Sequence, residues 1–165
     1  MREITLRPVE DTDLDLMSRW LNKEHVLRWY HDTDEWMNEI RNRHGAFRFI
    51  RHFLALSDGR PIGFCQYYDC FDAKEDWYEV GEEGAVYSID YLIGEEAFLG
   101  KGYGKAIVME LERIIRTETA AKRVIVQPEP ENAASCGTLL SCGYRFDTER
   151  QYYYKNLQIG LVCTL

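Results

Sequence analysis

One carboxylate, Asp90, interrupts an apolar run of the chain. Residues 85–93 read Ala-Val-Tyr-Ser-Ile-Asp-Tyr-Leu-Ile, which predicts a central β-strand. A carboxylate there is costly unless it meets a partner or opens into a cavity. Asp90 is therefore a candidate functional carboxylate, such as a general base acting directly or through water. A buried structural ion pair is the competing interpretation.

Acidic and aromatic side chains crowd the segment just before Asp90. Residues 72–90 carry seven carboxylates and one cation, Lys74, with Trp77 and Tyr78 among them. Such a loop can attract cations, although a solvated surface loop has the same composition. The carboxylates are Asp72, Glu75, Asp76, Glu79, Glu82, Glu83 and Asp90.

A glycine-rich segment follows the predicted strand. Residues 99–105 read Leu-Gly-Lys-Gly-Tyr-Gly-Lys, and an apolar stripe over residues 105–117 predicts a helix after them. Glycine lets the backbone approach a phosphate closely, and a helix start offers unpaired N–H groups and a positive dipole end. The segment lacks the Gly-Lys-Ser/Thr ending of a P-loop. It also comes too late in the chain for a dinucleotide-binding fold, which places its glycines after the first strand.

Composition excludes several classes of protein. The chain has 165 residues, a net charge of −8 and a pI near 5.1, which disfavours nucleic acid as a partner. No apolar run is long enough to cross a bilayer and the N-terminus has no secretory core, so we expect a soluble cytoplasmic protein with no membrane partner. The odd number of cysteines, with no CxxC pair, predicts neither a disulfide framework nor a metal site.

Hydrophobic periodicity predicts elements in the order β-α-α-β-β-β-α-β-α-β-β. Residues 57–60, Ser-Asp-Gly-Arg, predict a hairpin turn between the strands at 47–56 and 61–68. No repeat or linker divides the chain. We therefore expect one mixed α/β domain over residues 1–165.

Several blocks resemble the GNAT acetyltransferases, and among them the aminoglycoside 6'-N-acetyltransferases. Gly102 and Gly104 match the glycines of that family's pyrophosphate loop, Gln/Arg-x-x-Gly-x-Gly/Ala, while Leu99 stands in the Gln/Arg place. The other matching blocks are Trp-Leu-Asn-Lys-Glu-His-Val at 20–26, Trp-Tyr at 29–30, Pro-Ile-Gly-Phe-Cys-Gln-Tyr-Tyr at 61–68, Ser-Ile-Asp at 88–90 and Gln-Pro-Glu-Pro-Glu-Asn at 127–132.

The resemblance implies a fold and a co-substrate. The fold would be a central mixed, mostly antiparallel sheet of six to seven strands flanked by about four helices, with a bulged central strand before the loop. Acetyl-CoA would be the acetyl donor, without a metal. It would be bound by backbone groups of the strand and loop and by the side chain of an asparagine. The implied residues are Tyr91, Leu92, Ile93, Gly100, Lys101, Gly102, Tyr103, Gly104, Lys105 and Asn132.

The resemblance also implies an acceptor site. The acetyl group would pass to a primary amine of a small polycation, the 6'-amine of an aminoglycoside antibiotic, by direct attack in a ternary complex. The implied catalytic carboxylates are Asp90 with Glu75 or Asp76. The implied substrate-binding residues are Trp29, Tyr30, Tyr68, Trp77, Glu79, Gln127 and Glu129.

Two further departures from the family pattern bear on the acceptor and the mechanism. Gln127 replaces an acidic residue, and Leu139 stands where many members carry the tyrosine that protonates the thiolate. The alternatives are a GNAT enzyme for another amine, such as a polyamine, a siderophore precursor or a protein N-terminus, or a non-catalytic acyl-CoA- or antibiotic-binding module. We expect a monomer or homodimer, since residues 157–165 are apolar enough to pair with another surface.

Overall fold

The computed structural model describes residues 1–157, which form one seven-stranded sheet with the strand order β1-β2-β3-β4-β5-β7-β6. The apolar segment suggested for pairing lies outside the described residues, apart from Leu157. Neighbouring strands are antiparallel except for β4 and β5. The strands are β1 (Thr5–Pro8), β2 (Ile50–Ser57), β3 (Arg60–Asp69), β4 (Val86–Ile93), β5 (Arg123–Val126), β6 (Arg145–Asp147) and β7 (Tyr152–Asn156).

The described residues hold six α-helices, where about four were expected. Two separate helices lie between residues 24 and 41, and a one-turn helix after β3 had no periodic signal in the sequence. The helices are α1 (Leu14–Leu21), α2 (Glu24–Tyr30), α3 (Thr33–Arg41), α4 (Cys70–Ala73), α5 (Tyr103–Glu118) and α6 (Ala133–Ser141). None of these helices is long and apolar enough to span a membrane.

Strand β4 has a partner on each side along only part of its length. It pairs with β3 without interruption from Tyr87 to Ile93, but with β5 only from Val86 to Ser88. Beyond Ser88, β4 has no further pairing with β5, which itself ends at Val126; this unpaired side of β4 is called the opening between β4 and β5. The pairing of β3 with β4 shows no register shift, so the expected bulge is not seen there. The sheet has a register shift between Ala55 and Leu56 of β2.

The two faces of the sheet carry separate apolar clusters, because side chains alternate along each strand. Helices α5 and α6 cover one face, where Ile107, Leu111 and Leu139 are fully buried. Helices α1 and α3 cover the upper part of the other face. A third cluster, around Ile50 and Tyr68, lies lower on that second face.

Helices α1 and α2 are anchored to the chain immediately after β4. The Trp20 ring lies so close to Gly94 that a Cβ there would approach it to 2.1 Å. Lys23 Nζ donates to the Gly94 carbonyl at 3.0 Å, and the His25 ring donates to the Ile93 carbonyl at 2.9 Å. These contacts place α2 beside the opening between β4 and β5.

Candidate active site

Beyond Ser88 the backbone groups of β4 on the β5 side have no partner in β5. One of them is already paired: the Tyr30 hydroxyl of α2 donates to the Tyr91 carbonyl. Burial, followed by the charge of Asp90, raises the pKa of Tyr30, so the hydroxyl stays a donor. Tyr30 thus joins α2 to the strand at the point where β5 departs.

Asp90 lies on β4 in this opening, half-buried. Gln66 of β3 donates its Nε2 hydrogen to Asp90 Oδ2 at 2.9 Å. No described cation pairs with Asp90, so the competing interpretation as a structural ion pair finds no partner among residues 1–157. Burial raises the pKa of the carboxyl to about 6; the Gln66 hydrogen bond works against that rise and the charge of Glu75 adds to it.

The acidic-aromatic loop folds over the lower part of the same sheet face. Trp77 donates its indole N–H to Glu75 at 2.7 Å and packs edge-on against Tyr78. Burial and the charges of Asp90 and Glu75 raise the pKa of Tyr68, which lies beneath the loop. Glu75 is exposed, as are Asp76 and Glu79, but of these three only Glu75 interacts electrostatically with Asp90 and Tyr68.

A third carboxylate, Glu39 of α3, was not anticipated from the sequence. It is half-buried, and burial followed by the charges of Asp90, Glu35 and Glu75 raises its pKa to about 7. It lies one turn after Trp36, which packs edge-on against Tyr30 with ring centroids 4.9 Å apart. No sequence signal identified Glu39, because its position depends on how α3 packs over β4.

The other predicted acceptor residues lie at the margin of this group. Trp29 is partly exposed and the Arg28 guanidinium lies 4.6 Å from its ring centroid. Gln127 Nε2 donates to the Gln151 carbonyl at 3.0 Å. Glu129 is bonded to the His31 ring, which links the loop after β5 to the end of α2.

The glycine-rich segment forms the loop before α5. Gly100 and Gly102 have φ angles of +68° and +88°, and Gly102 is the residue that precedes the helix. Ala106 is the first residue whose N–H returns to an earlier carbonyl, that of Gly102 at 3.3 Å. The N–H groups of α5 before Ala106 therefore have no intrahelical acceptor, which suits a pyrophosphate. They belong to Tyr103, Gly104 and Lys105.

A cation that the sequence did not indicate lies against this loop. Arg2 Nε donates to the Lys101 carbonyl at 3.0 Å, and the Arg2 guanidinium lies 5.3 Å from the centroid of the Tyr103 ring. Leu99, which stands in the Gln/Arg place of the family pattern, is exposed and has no charge. Arg2 therefore places positive charge against the loop that precedes α5.

Asn132 and Tyr91 are both hydrogen-bonded to Ser135 in the first turn of α6. Asn132 is the N-cap of this helix, with its Oδ1 accepting from Ser135 N at 3.1 Å. The Tyr91 hydroxyl lies 2.7 Å from Ser135 Oγ. Leu139 is fully buried, so α6 offers no hydroxyl at that position.

Comparison with known proteins identifies the class. The family model described as an acetyltransferase (GNAT) domain matches residues 9–152. The chain therefore belongs to the GNAT acetyltransferase family. This match confirms the predicted class of enzyme, an N-acetyltransferase that takes its acetyl group from acetyl-CoA.

Individual relatives are more distant. The chain is 25% identical over 154 residues to aminoglycoside N(6')-acetyltransferase type 1 of Klebsiella pneumoniae. The aligned region covers 90% of this chain and 75% of the relative. The crystal structure of aminoglycoside acetyltransferase AAC(6')-Ib with coenzyme A superposes with a TM-score of 0.81 at 22% identity, covering 93% of this chain and 95% of that one. A complex of the same enzyme with coenzyme A and kanamycin gives 0.80 at 22% identity, with the same coverage.

Proposed function

We propose that this chain transfers the acetyl group of acetyl-CoA to the 6'-amine of an aminoglycoside. The observation that carries this proposal is the group of carboxylates at the opening of β4: Asp90, Glu75 and Glu39 interact electrostatically on one side of the strand. Carboxylates grouped in this way favour a ligand with several ammonium groups. The similarity to aminoglycoside N(6')-acetyltransferase type 1 supports the same acceptor.

The co-substrate would lie on the other side of the opening. The free N–H groups of Tyr103, Gly104 and Lys105 would hold its pyrophosphate, and β4 backbone groups beyond Ser88 would hold its pantetheine arm. The acetyl thioester supplies the acyl group. An N–H of β4 directed at the thioester oxygen would stabilise the charge that develops there.

Asp90 would act on the acceptor amine. The attacking amine must be neutral, and a carboxylate with a pKa near 6 is ionised at neutral pH and able to take a proton, directly or through water. The same carboxylate would orient the ammonium form before attack. Glu75 and Glu39 would pair with ammonium groups elsewhere on the acceptor.

One observation favours a second candidate, a GNAT enzyme for a shorter polyamine. In the loop after β5 the two residues predicted to bind the acceptor are already occupied: Gln127 is bonded to a backbone carbonyl and Glu129 to His31. The carboxylates that interact with one another then lie around Asp90. That suits a ligand with two or three amines as well as one with more.

The experiment that separates these candidates is a thiol-release assay with acetyl-CoA. Kanamycin and tobramycin are compared with spermidine, lysine and a peptide amine. Turnover confined to the aminoglycosides supports the first proposal. Turnover confined to spermidine supports the second, and turnover with none of these amines would refute both.

A further inference from the structure

A row of polar side chains crosses the sheet between the two apolar clusters of the α1–α3 face. His52 on β2 is paired in register with Gln66 on β3, and Gln66 with Asp90 on β4. Directly paired residues of antiparallel strands point to the same face, with Cβ atoms about 4.5–5.5 Å apart. The pairs on either side of this row are apolar, Leu54 with Phe64 above it and Ile50 with Tyr68 below it.

The row is buried and its hydrogen bonding is incomplete. His52 is 5% exposed and Gln66 is 1% exposed. Gln66 uses its Nε2 on Asp90, while its Oε1 has no partner and neither ring nitrogen of His52 has one. Buried polar atoms of this kind are seldom left unpaired. Here an orphan acceptor and an orphan donor belong to neighbours in one cross-strand pair.

We propose that His52 is a positioning residue: its neutral ring donates an N–H to Gln66 Oε1, directly or through one water, and so holds the Gln66 amide with its NH2 group toward Asp90. The catalytic meaning of this arrangement rests on the proposed function, because Asp90 is the carboxylate assigned to the acceptor amine. The arrangement itself is independent of which amine is acetylated.

The orientation of the Gln66 amide matters because its two ends have opposite effects on Asp90. The NH2 group stabilises the ionised carboxylate, whereas a reversed amide would place Oε1 against it and favour the protonated acid. The two orientations have nearly the same shape, so packing alone cannot choose between them. A hydrogen-bond donor on the side of Gln66 away from Asp90 favours the orientation in which Oε1 points to that donor and the NH2 group points to Asp90. His52 is the residue on that side.

The charges around the row fit this arrangement. Burial, with the charge of Arg43 as the next cause, lowers the pKa of the His52 ring to about 4, so the ring is neutral at physiological pH. A neutral ring has one N–H, and the other acceptor within its reach is the backbone of Ile50. Asp90 interacts electrostatically with other titratable groups, namely Glu39, Glu75, Tyr30, Tyr68, Cys70 and the adjacent Tyr91.

The test is a carbon-13 NMR titration of the Asp90 carboxyl in the free protein, with Asp90→Asn used to assign the signal. Gln66→Met removes the donor, and we expect the midpoint to rise by about one pH unit, the value of one net hydrogen bond. His52→Phe keeps the ring shape beside Phe64 but removes the N–H, and we expect a rise in the same direction. His44→Phe, which removes an exposed ring, is the matched control and leaves the midpoint unchanged.

Rescue identifies the donor. His52→Gln places an amide where Nε2 lies, and His52→Asn places one near Nδ1; we expect one of the two to restore the wild-type midpoint. An unchanged midpoint in folded His52→Phe overturns the proposal. So does a rise in His52→Phe that neither amide variant reverses, because a structural effect alone produces that result.

If His52→Phe does not fold, the wild-type protein still decides the question. Nitrogen-15 NMR should show a neutral His52 ring at pH 6, with an N–H that cross-relaxes to the Gln66 side chain or to a water bound to it. A charged ring, or an N–H directed at the Ile50 carbonyl, overturns the proposal. None of these measurements uses an acceptor, so an inactive enzyme in the thiol-release assay would refute the proposed function and leave this result intact.

Discussion

The two sides of β4 offer different kinds of binding group, backbone N–H groups on one side and side-chain carboxylates on the other. On the side proposed to bind acetyl-CoA, the groups available for binding are backbone N–H groups of the loop and of α5, placed by the positive φ angles of Gly100 and Gly102. On the acceptor side they are side chains contributed by separate elements: Asp90 from β4, Glu75 from the acidic loop and Glu39 from α3.

This difference has consequences for substitution. A site made of backbone tolerates changes of side chain but is sensitive to any change in its φ angles. A site made of side chains from several elements depends on the charge and orientation of each, and its strongest effects come from single carboxylates. The co-substrate side should therefore respond mainly in acetyl-CoA affinity, and the acceptor side in turnover and acceptor affinity.

The largest effect should come from Asp90→Asn. We expect kcat to fall by about 100-fold to 10,000-fold, because the amine loses the carboxylate that takes or orients its proton. The dissociation constant of acetyl-CoA, measured by calorimetry, should change little because Asp90 lies on the acceptor side. Unchanged turnover would remove Asp90 from the mechanism.

The pH profile should show the same carboxyl. As the pH falls through about 6, Asp90 takes up a proton and kcat/KM should decrease by up to about tenfold per pH unit. This decrease adds to the one caused by protonation of the acceptor amine itself. The residual activity of Asp90→Asn should lack the inflection near pH 6; an inflection that persists there would assign it to another group.

On the co-substrate side, Gly102→Ala should weaken acetyl-CoA binding by about tenfold. Its φ of +88° costs an alanine about 1–2 kcal/mol, and relaxation of the loop would move the free N–H groups. Gly59→Ala is the matched control, with a φ of +75° in the β2–β3 turn and open space around its Cβ. It should lower the melting temperature similarly and leave acetyl-CoA affinity unchanged.

The smallest effect should come from Glu39→Gln, and it should separate stability from function. We expect KM for the acceptor to rise about threefold to tenfold with kcat nearly constant, as for loss of one ammonium contact. The melting temperature at pH 8 should increase, because a half-buried carboxylate that repels Asp90 and Glu75 is removed. A lower melting temperature at pH 8 would contradict the assigned electrostatics.

The sign of the pH effect on stability follows from the direction of the two shifts. The pKa values of Asp90 and Glu39 are raised from 3.8 and 4.5 to about 6 and about 7, so the folded state binds these protons more tightly. These two carboxyls should therefore increase the free energy of unfolding as the pH falls from about 8 toward 4.5. His52, whose pKa is lowered from 6.5 to about 4, opposes this between those values.

The sequence was sufficient where the signal is local. The glycine loop, the strand that carries Asp90 and the Asn132 cap follow from residue types at fixed spacing, and the seven-stranded mixed sheet falls within the predicted range. Glu39, His52 and Gln66 could not be found in this way. Their roles depend on how α3 packs and on the register of β2, β3 and β4, which a single strand's pattern does not determine. Arg2 is distant in sequence from the loop that it contacts.

The measurement that tests the central claim most directly compares two acceptors in the thiol-release assay. Neomycin B and paromomycin differ only at the 6' carbon, which carries an amine in the first and a hydroxyl in the second. We expect rapid release of coenzyme A with neomycin B and none above background with paromomycin. Equal release with both would place the acetylated amine elsewhere on the acceptor, and release with neither would contradict an aminoglycoside as the substrate.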